Sequence, residues 1–185
     1  MRSILPFDVR RCSAARFRVL GAVIVGVAMA TPAVACDPDA SPIFSCEAAN
    51  GRKFIELCAS LPITPDNGYL QYRFGSLDGN GQPKTTELVF PKTLAGSAQQ
   101  FVGATFSRKG VYRQSVRFVS GDYSYSVFTS TRGSQLLDAG VEVKNRANGK
   151  TTTVSCNEVP RFYIFDLKGT LACDPETAIG KACIE

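Results

Sequence analysis

The chain of 185 residues contains no histidine. That absence excludes Ser-His-Asp and Cys-His hydrolases, histidine metal sites and any acid–base step carried by imidazole. Carboxylate pairs, Ser-Lys and tyrosine chemistry stay open. Tryptophan is also missing, a weaker point against sugar-stacking sites. There is no Cys-x-x-Cys pair, and zinc sites favour such close spacing or histidine ligands. No metal and no cofactor are therefore expected. Beyond residue 35 no apolar run approaches the roughly 20 residues that a spanning helix needs, so no membrane span is expected. Helical periodicity is poor almost throughout, and neither a repeat nor a low-complexity linker is visible.

What is present begins with a targeting signal. Arg2, Arg10, Arg11, Arg16 and Arg18 are opposed only by Asp8, and the apolar run Val19 to Ala30 follows. It ends in Thr31-Pro32-Ala33-Val34-Ala35, the small-x-small pattern that signal peptidase reads. The expected division is a signal peptide over 1–35 and a single β domain over 36–185, with Cys36 as the first mature residue. Cleavage before a cysteine also admits a lipoprotein acylated on Cys36, although Ala33 stands where such signals prefer leucine. The expected location is periplasmic or secreted, with a membrane-anchored lipoprotein as the alternative. Of the 21 Lys and Arg and 16 Asp and Glu, five Arg and one Asp fall in residues 1–35. The remainder carries 16 and 15, a net charge of +1. A nucleic-acid partner needs clustered basic residues, and none is expected here.

Six cysteines follow the signal: Cys36, Cys46, Cys58, Cys156, Cys173 and Cys183. An even number behind an export signal implies disulfides formed in an oxidising compartment. Cys173 is expected to pair with Cys183 across a short polar loop containing Pro175 and Gly180, which would pin a tail otherwise free to fray. Cys156 is expected to pair with Cys46 or Cys58, and the other early cysteine with Cys36 unless Cys36 is lipidated.

Short alternating runs rich in Phe, Tyr, Val and Thr dominate, separated by turn residues. Strands are expected over Lys53–Cys58, Gly68–Gly75, Thr85–Phe90, Phe101–Phe106, Val111–Val119, Tyr123–Thr129, Gly140–Asn145 and Thr151–Cys156. Leu70, Tyr72 and Phe74 share one face, and Tyr112, Val116 and Phe118 another. Ala147-Asn148-Gly149-Lys150 is an Asn-Gly hairpin turn. Phe162–Leu167 is a candidate last strand. Thr170–Glu185 reads as a disulfide-pinned loop with a helical turn near Pro175. The fold class is mostly β: an antiparallel meander closed into a single barrel or sandwich and stapled by disulfides.

Candidate binding residues come from strand faces. Arg113 and Arg117 share a face with Ser115 between them and could grip a carboxylate or phosphate bidentately, or form an ordinary polar exterior. Tyr123 and Tyr125 share a face and could make an aromatic recognition stripe, or pack in the core. Tyr72 and Arg73 are neighbours, so a strand sends them to opposite faces. Asp37 and Asp39 suit a solvated start, and Asp174 and Glu176 flank Pro175 without a clear role. Gly79-Asn80-Gly81 is turn chemistry, because no strand-to-helix step surrounds it. No residue is assigned a catalytic role.

Two resemblances emerge. The runs Phe44-Ser45-Cys46, Asn50-Gly51-Arg52-Lys53-Phe54-Ile55-Glu56-Leu57-Cys58 and Gly68-Tyr69-Leu70-Gln71-Tyr72-Arg73-Phe74-Gly75 are part of the first. Glu87-Leu88-Val89-Phe90-Pro91, Gly121-Asp122-Tyr123-Ser124-Tyr125 and Ala139-Gly140-Val141-Glu142-Val143 complete it. Together they resemble a group of small secreted proteobacterial cysteine-containing β proteins, which implies export and a shared β fold and transfers no catalytic residue. Separately, Ser120-Gly121-Asp122-Tyr123, with Cys46 or Cys58 bridged to Cys156, resembles the membrane-bound inhibitors of c-type lysozyme. That likeness is a more limited one and implies an inhibitor. The functional expectation is an exported, non-catalytic protein-binding module, such as an inhibitor or toxin-neutralising factor. The alternatives are a structural or lipid-anchored envelope component and a histidine-free enzyme.

Overall fold

The computed structural model describes residues 36–184. The signal-peptide reading of 1–35 lies outside the described residues. In chain order the strands are β1 (Ala40–Ala48), β2 (Lys53–Ser60), β3 (Leu70–Leu77), β4 (Pro83–Phe90), β5 (Phe101–Arg108) and β6 (Val111–Ser120). They continue as β7 (Tyr123–Arg132), β8 (Gln135–Asn145), β9 (Thr151–Ser155), β10 (Arg161–Phe162), β11 (Ala172–Thr177) and β12 (Gly180–Ala182). A five-stranded sheet has the order β10-β1-β2-β3-β4, and a seven-stranded sheet the order β12-β11-β5-β6-β7-β8-β9.

Alternation explains why the two sheets pack face to face. Ile55, Leu57, Leu70 and Tyr72 of the smaller sheet join Phe101, Val116, Phe118, Val127 and Val141 of the larger in one buried cluster. Phe118 is its centre. Its ring stacks on Tyr125 at 4.9 Å and on Phe90 at 4.4 Å, and meets Tyr72 at 5.0 Å. Fully burying a side chain of this size contributes about 1.5–3 kcal/mol, so a dozen such residues carry the fold. The architecture is a sandwich rather than a closed barrel. One corner is sewn shut, where Ala48 of β1 bridges Cys156 just past β9 and a Cys46–Cys156 disulfide crosses the seam. The other disulfides are Cys36–Cys58 and Cys173–Cys183. Bridges of this kind persist in oxidising compartments, not in the reducing cytosol.

Turn chemistry follows the residues. Asn145 Oδ1 accepts the N–H groups of Ala147 and Asn148, and Gly149 takes φ +73°. Asp78 Oδ1 accepts the N–H groups of Asn80 and Gln82, and those bonds, Gln82's foremost, hold its carboxyl below the usual range.

Several expectations need correction. Ala40–Ala48 is a full strand, although Pro42 and three polar residues interrupt its pattern. A register shift between Pro42 and Phe44 absorbs the proline. Of Phe162–Leu167, only Phe162 lies in a strand. Ile164–Leu167 forms a 3-10 turn, in which residues three apart share a face, and Ile164 and Leu167 are both fully buried. The tail is neither a loop nor helical near Pro175. β11 and β12 pair as a hairpin, and β11 lies parallel to β5 through Ala172 to Val102 and Cys173 to Gly103. That pairing makes the larger sheet mixed, so the meander is not wholly antiparallel.

Candidate functional site

The outer face of the larger sheet is where chemistry collects. On β6, Val116 and Phe118 point inward, which sends Arg113, Ser115 and Arg117 outward. The register sets Arg117 beside Ser126, Ser115 beside Phe128 and Arg113 beside Ser130. On the next strand Glu142 lies beside Ser126 and Lys144 beside Ser124. These side chains surround a cleft of about 350 Å³, closed on one flank by Asp174, Glu176, Thr177 and Ala178 of the C-terminal hairpin.

Two ion pairs frame it. The Arg113 guanidinium lies over the Phe128 ring, 3.8 Å from its centroid, and crosses that strand to donate to Glu142 at 2.5 Å. Cation–π attraction and the ion pair thus hold one guanidinium from two directions. Burial lowers the proton affinity of Arg113, and Glu142 opposes that shift. Arg117 donates through Nε and Nη2 to the two carboxylate oxygens of Asp174 at 2.9 and 2.7 Å. Its third nitrogen is 3.7 Å from Glu176. Hydrogen bonding to Asp174 raises the Arg117 pKa. Asp174 is only 4% exposed and also accepts the Glu176 N–H. Arg117 is therefore the clamp that folds the hairpin over the sheet.

The floor between the pairs is hydroxyl-rich. Ser115, Ser124 and Ser126 line it with side chains that make no hydrogen bond to another described residue. Lys144 enters from one wall without an ion pair among the described residues. Phe106 adds an apolar edge. The cleft thus offers donors and acceptors already oriented by a rigid sheet, with balanced charge.

The arginines expected from sequence converge on this cleft, and the tyrosines do not. Tyr125 faces the core against Phe118, and Tyr123, 43% exposed, sits beside it on that face. Alternation places both opposite Ser124 and Ser126. Tyr72 is buried in the core, while Arg73 turns outward to Asp37 at 3.1 Å and to Gln71 at 2.9 Å. Asp39 is exposed beside the N-terminal segment. Asp174 and Glu176, which had no clear role in the sequence, both meet Arg117. Glu142 and Lys144 went unnoticed. Their outward alternation against Val141 and Val143 was the signal that could have shown them.

Elsewhere, the sulfurs of Cys36 and Cys58 lie with the Glu56 carboxylate within 4.8 Å of one another, but the disulfide consumes both sulfurs. A smaller cleft of about 200 Å³ on the outer face of the five-stranded sheet is lined by Ser45, Glu47, Glu56, Glu158 and Arg161. The chain matches no protein-family model, no curated protein and no solved structure.

Proposed function

We propose that this chain is an exported, non-catalytic module that receives a protein partner in the cleft of its larger sheet, in the manner of an inhibitor or toxin-neutralising factor. The observation that carries this reading is the pair of satisfied ion pairs, Arg113–Glu142 and Arg117–Asp174, standing on either side of serine hydroxyls that bond no other described residue. A site whose charges are already paired loses little side-chain freedom on binding, and its floor keeps hydrogen-bonding capacity for a ligand.

The same pairing argues against catalysis. An acid or base must exchange a proton with substrate, and the carboxylates of Glu142 and Asp174 are both already occupied by guanidinium donors. Export is supported by the signal-like residues 1–35 and by three disulfides. A sulfur in a disulfide cannot also carry a thioether-linked lipid, so the Cys36–Cys58 bridge favours the secreted form over the anchored one. The inhibitor-like Ser120–Tyr123 turn lies beside the Asn145–Lys150 turn, joined by the Arg146 N–H to the Asp122 carbonyl at 2.9 Å.

Photocrosslinking tests the reading. With p-benzoylphenylalanine in place of Ser126, the protein should form one dominant adduct in extract from the producing cell envelope or medium. The same group in place of Ser45, on the other sheet, should not form it. Adducts absent from both positions, or equal at both, would refute the cleft as the binding surface.

A further inference from the structure

We infer that the free edge of β9 takes up an extended segment of the partner by antiparallel strand addition, with an acidic residue at the segment's C-terminal end. This rests on the binding reading above and specifies how a partner would reach the cleft.

Sheet edges are ordinarily blunted against such pairing. Among the described residues, β4 carries Pro83, Lys84 and Glu87 and two register shifts. β10 has two residues, and β12 has three beside the Cys173–Cys183 bridge. Among the described residues, β9 alone is an unprotected edge. Its residues Thr151-Thr152-Thr153-Val154-Ser155 are uncharged, free of proline and in unbroken register with β8. Threonine and valine are strong strand formers.

Hydrogen-bond parity shows which groups are free. The Asn145 N–H donates to the Lys150 carbonyl at 2.9 Å, and the Cys156 N–H to the Ala139 carbonyl at 2.8 Å. In an antiparallel ladder bonding alternates, so Thr152 and Val154 also face β8. Thr151 and Thr153 turn their N–H and C=O groups to the open side, and Ser155 faces the same way beside the Ala48 bridge. The register places these three on the face of Lys144, Glu142 and Gly140, and Thr151 lines the cleft. An added strand would therefore send alternate side chains over the cleft.

Direction and charge follow from the neighbours. Ala48 already occupies the edge at Cys156 in an antiparallel bridge. A segment continuing that line runs from Ser155 toward Thr151, and its C-terminal end reaches Lys150 and Lys144. Neither lysine has an ion pair among the described residues. A carboxylate there is the complement. A second copy of β9 fits less well, because pairing centred on Thr153 brings its Lys150 to Cys156, where Ala48 sits.

The test uses the full exported chain, isotopically labelled, and a probe peptide of alternating threonine and valine ending in two glutamates. Titration should shift the amide signals of Thr151, Thr153 and Ser155 saturably at submillimolar peptide. Thr153→Pro, which removes an outward N–H and leaves the β8 ladder intact, should abolish the shifts. Should that variant fail to fold, Lys144→Glu with Lys150→Glu decides. It should weaken the glutamate-ended peptide about tenfold or more and favour a lysine-ended one. No saturable shift at about 1 mM peptide, at which even a millimolar complex would be roughly half formed, would overturn the inference. So would binding indifferent to both variants, or a concentration-dependent dimer that Thr153→Pro dissolves. If the peptide fails while the Ser126 adduct persists, the edge is refuted and the cleft stands. Failure of both refutes the binding reading.

Discussion

Each sheet has part of its outer face covered by a terminal segment, and the two covers are built alike and fastened differently. On the smaller sheet, Cys36 is bridged to Cys58 and Asp37 meets Arg73. On the larger, Cys173 is bridged to Cys183 and Asp174 meets Arg117. Asp37 is 51% exposed, and its carboxylate meets the Arg73 guanidinium at 3.1 Å. Asp174 is 4% exposed and bound bidentately. An exposed ion pair contributes about 0–1 kcal/mol, whereas breaking a buried one leaves an uncompensated charge and costs about 3–5 kcal/mol. The difference teaches where an ion pair carries the fastening: in the hairpin that walls the proposed binding cleft, whose bridge is internal, whereas the other segment is tied to β2 by Cys36–Cys58.

The largest effect should come from removing the seam that joins the two faces. Cys46→Ala with Cys156→Ala opens a loop spanning 110 residues, for which chain entropy predicts a loss of about 5 kcal/mol. Guanidinium unfolding of the oxidised proteins measures it. A loss similar to that of opening Cys173–Cys183, whose separation is 10 residues, would contradict the loop-length argument.

Next comes the clamp itself. Arg117→Ala should cost about 3–5 kcal/mol and speed amide exchange across Ala172–Ala182, because the hairpin loses its hold while its disulfide remains. Retained protection there would show that the pairing of β11 with β5 fixes the wall without Arg117.

Between the faces lies Tyr72, whose phenol is pushed well above its ordinary pKa, first by burial and then by Tyr125. The folded state therefore favours the neutral ring. Its stabilising contribution is complete below about pH 10, where an unfolded tyrosine begins to ionise, and is lost as pH rises toward the folded pKa. Unfolding free energy should decline above about pH 10, and Tyr72→Phe should flatten that decline. An unchanged alkaline slope would remove Tyr72 from the explanation.

The smallest effect belongs to the other cover. Asp37→Ala should change stability by less than about 1 kcal/mol, and added salt should erase most of the difference. A loss as large as that of Arg117→Ala would dissolve the contrast between the two covers.

Local patterns made much of this legible. The alternation of Leu70, Tyr72 and Phe74, the inward Val116 and Phe118 and the Asn-Gly turn are short-range signals, and the mostly β class follows from them, with barrel and sandwich both left open. Arg113 and Arg117 are also readable as one face, since they are four residues apart on a strand. Their partners are not, because Glu142 lies 29 residues from Arg113 and Asp174 57 from Arg117. No local period links them. The same limit hid the parallel pairing of Ala172 and Cys173 with β5, and Pro175 made the tail look like a loop. Ala40–Ala48 was obscured by Pro42, whose cost is absorbed by a register shift visible only with β2 in place. For Tyr123 and Tyr125 the pattern fixed their common side but not which side was the core. That depended on Phe118 and Tyr72 meeting Tyr125 from other strands.

The most direct measurement compares the outer faces by affinity for the partner crosslinked from position 126. Ser126→Trp fills the cleft of the larger sheet, and Ser45→Trp fills that of the smaller one. Equilibrium titration should show binding weakened about a hundredfold or more by the first, a loss near 3 kcal/mol, and unchanged by the second, with both variants unfolding like the parent. Equal affinity for all three proteins, or a loss confined to Ser45→Trp, would contradict the account.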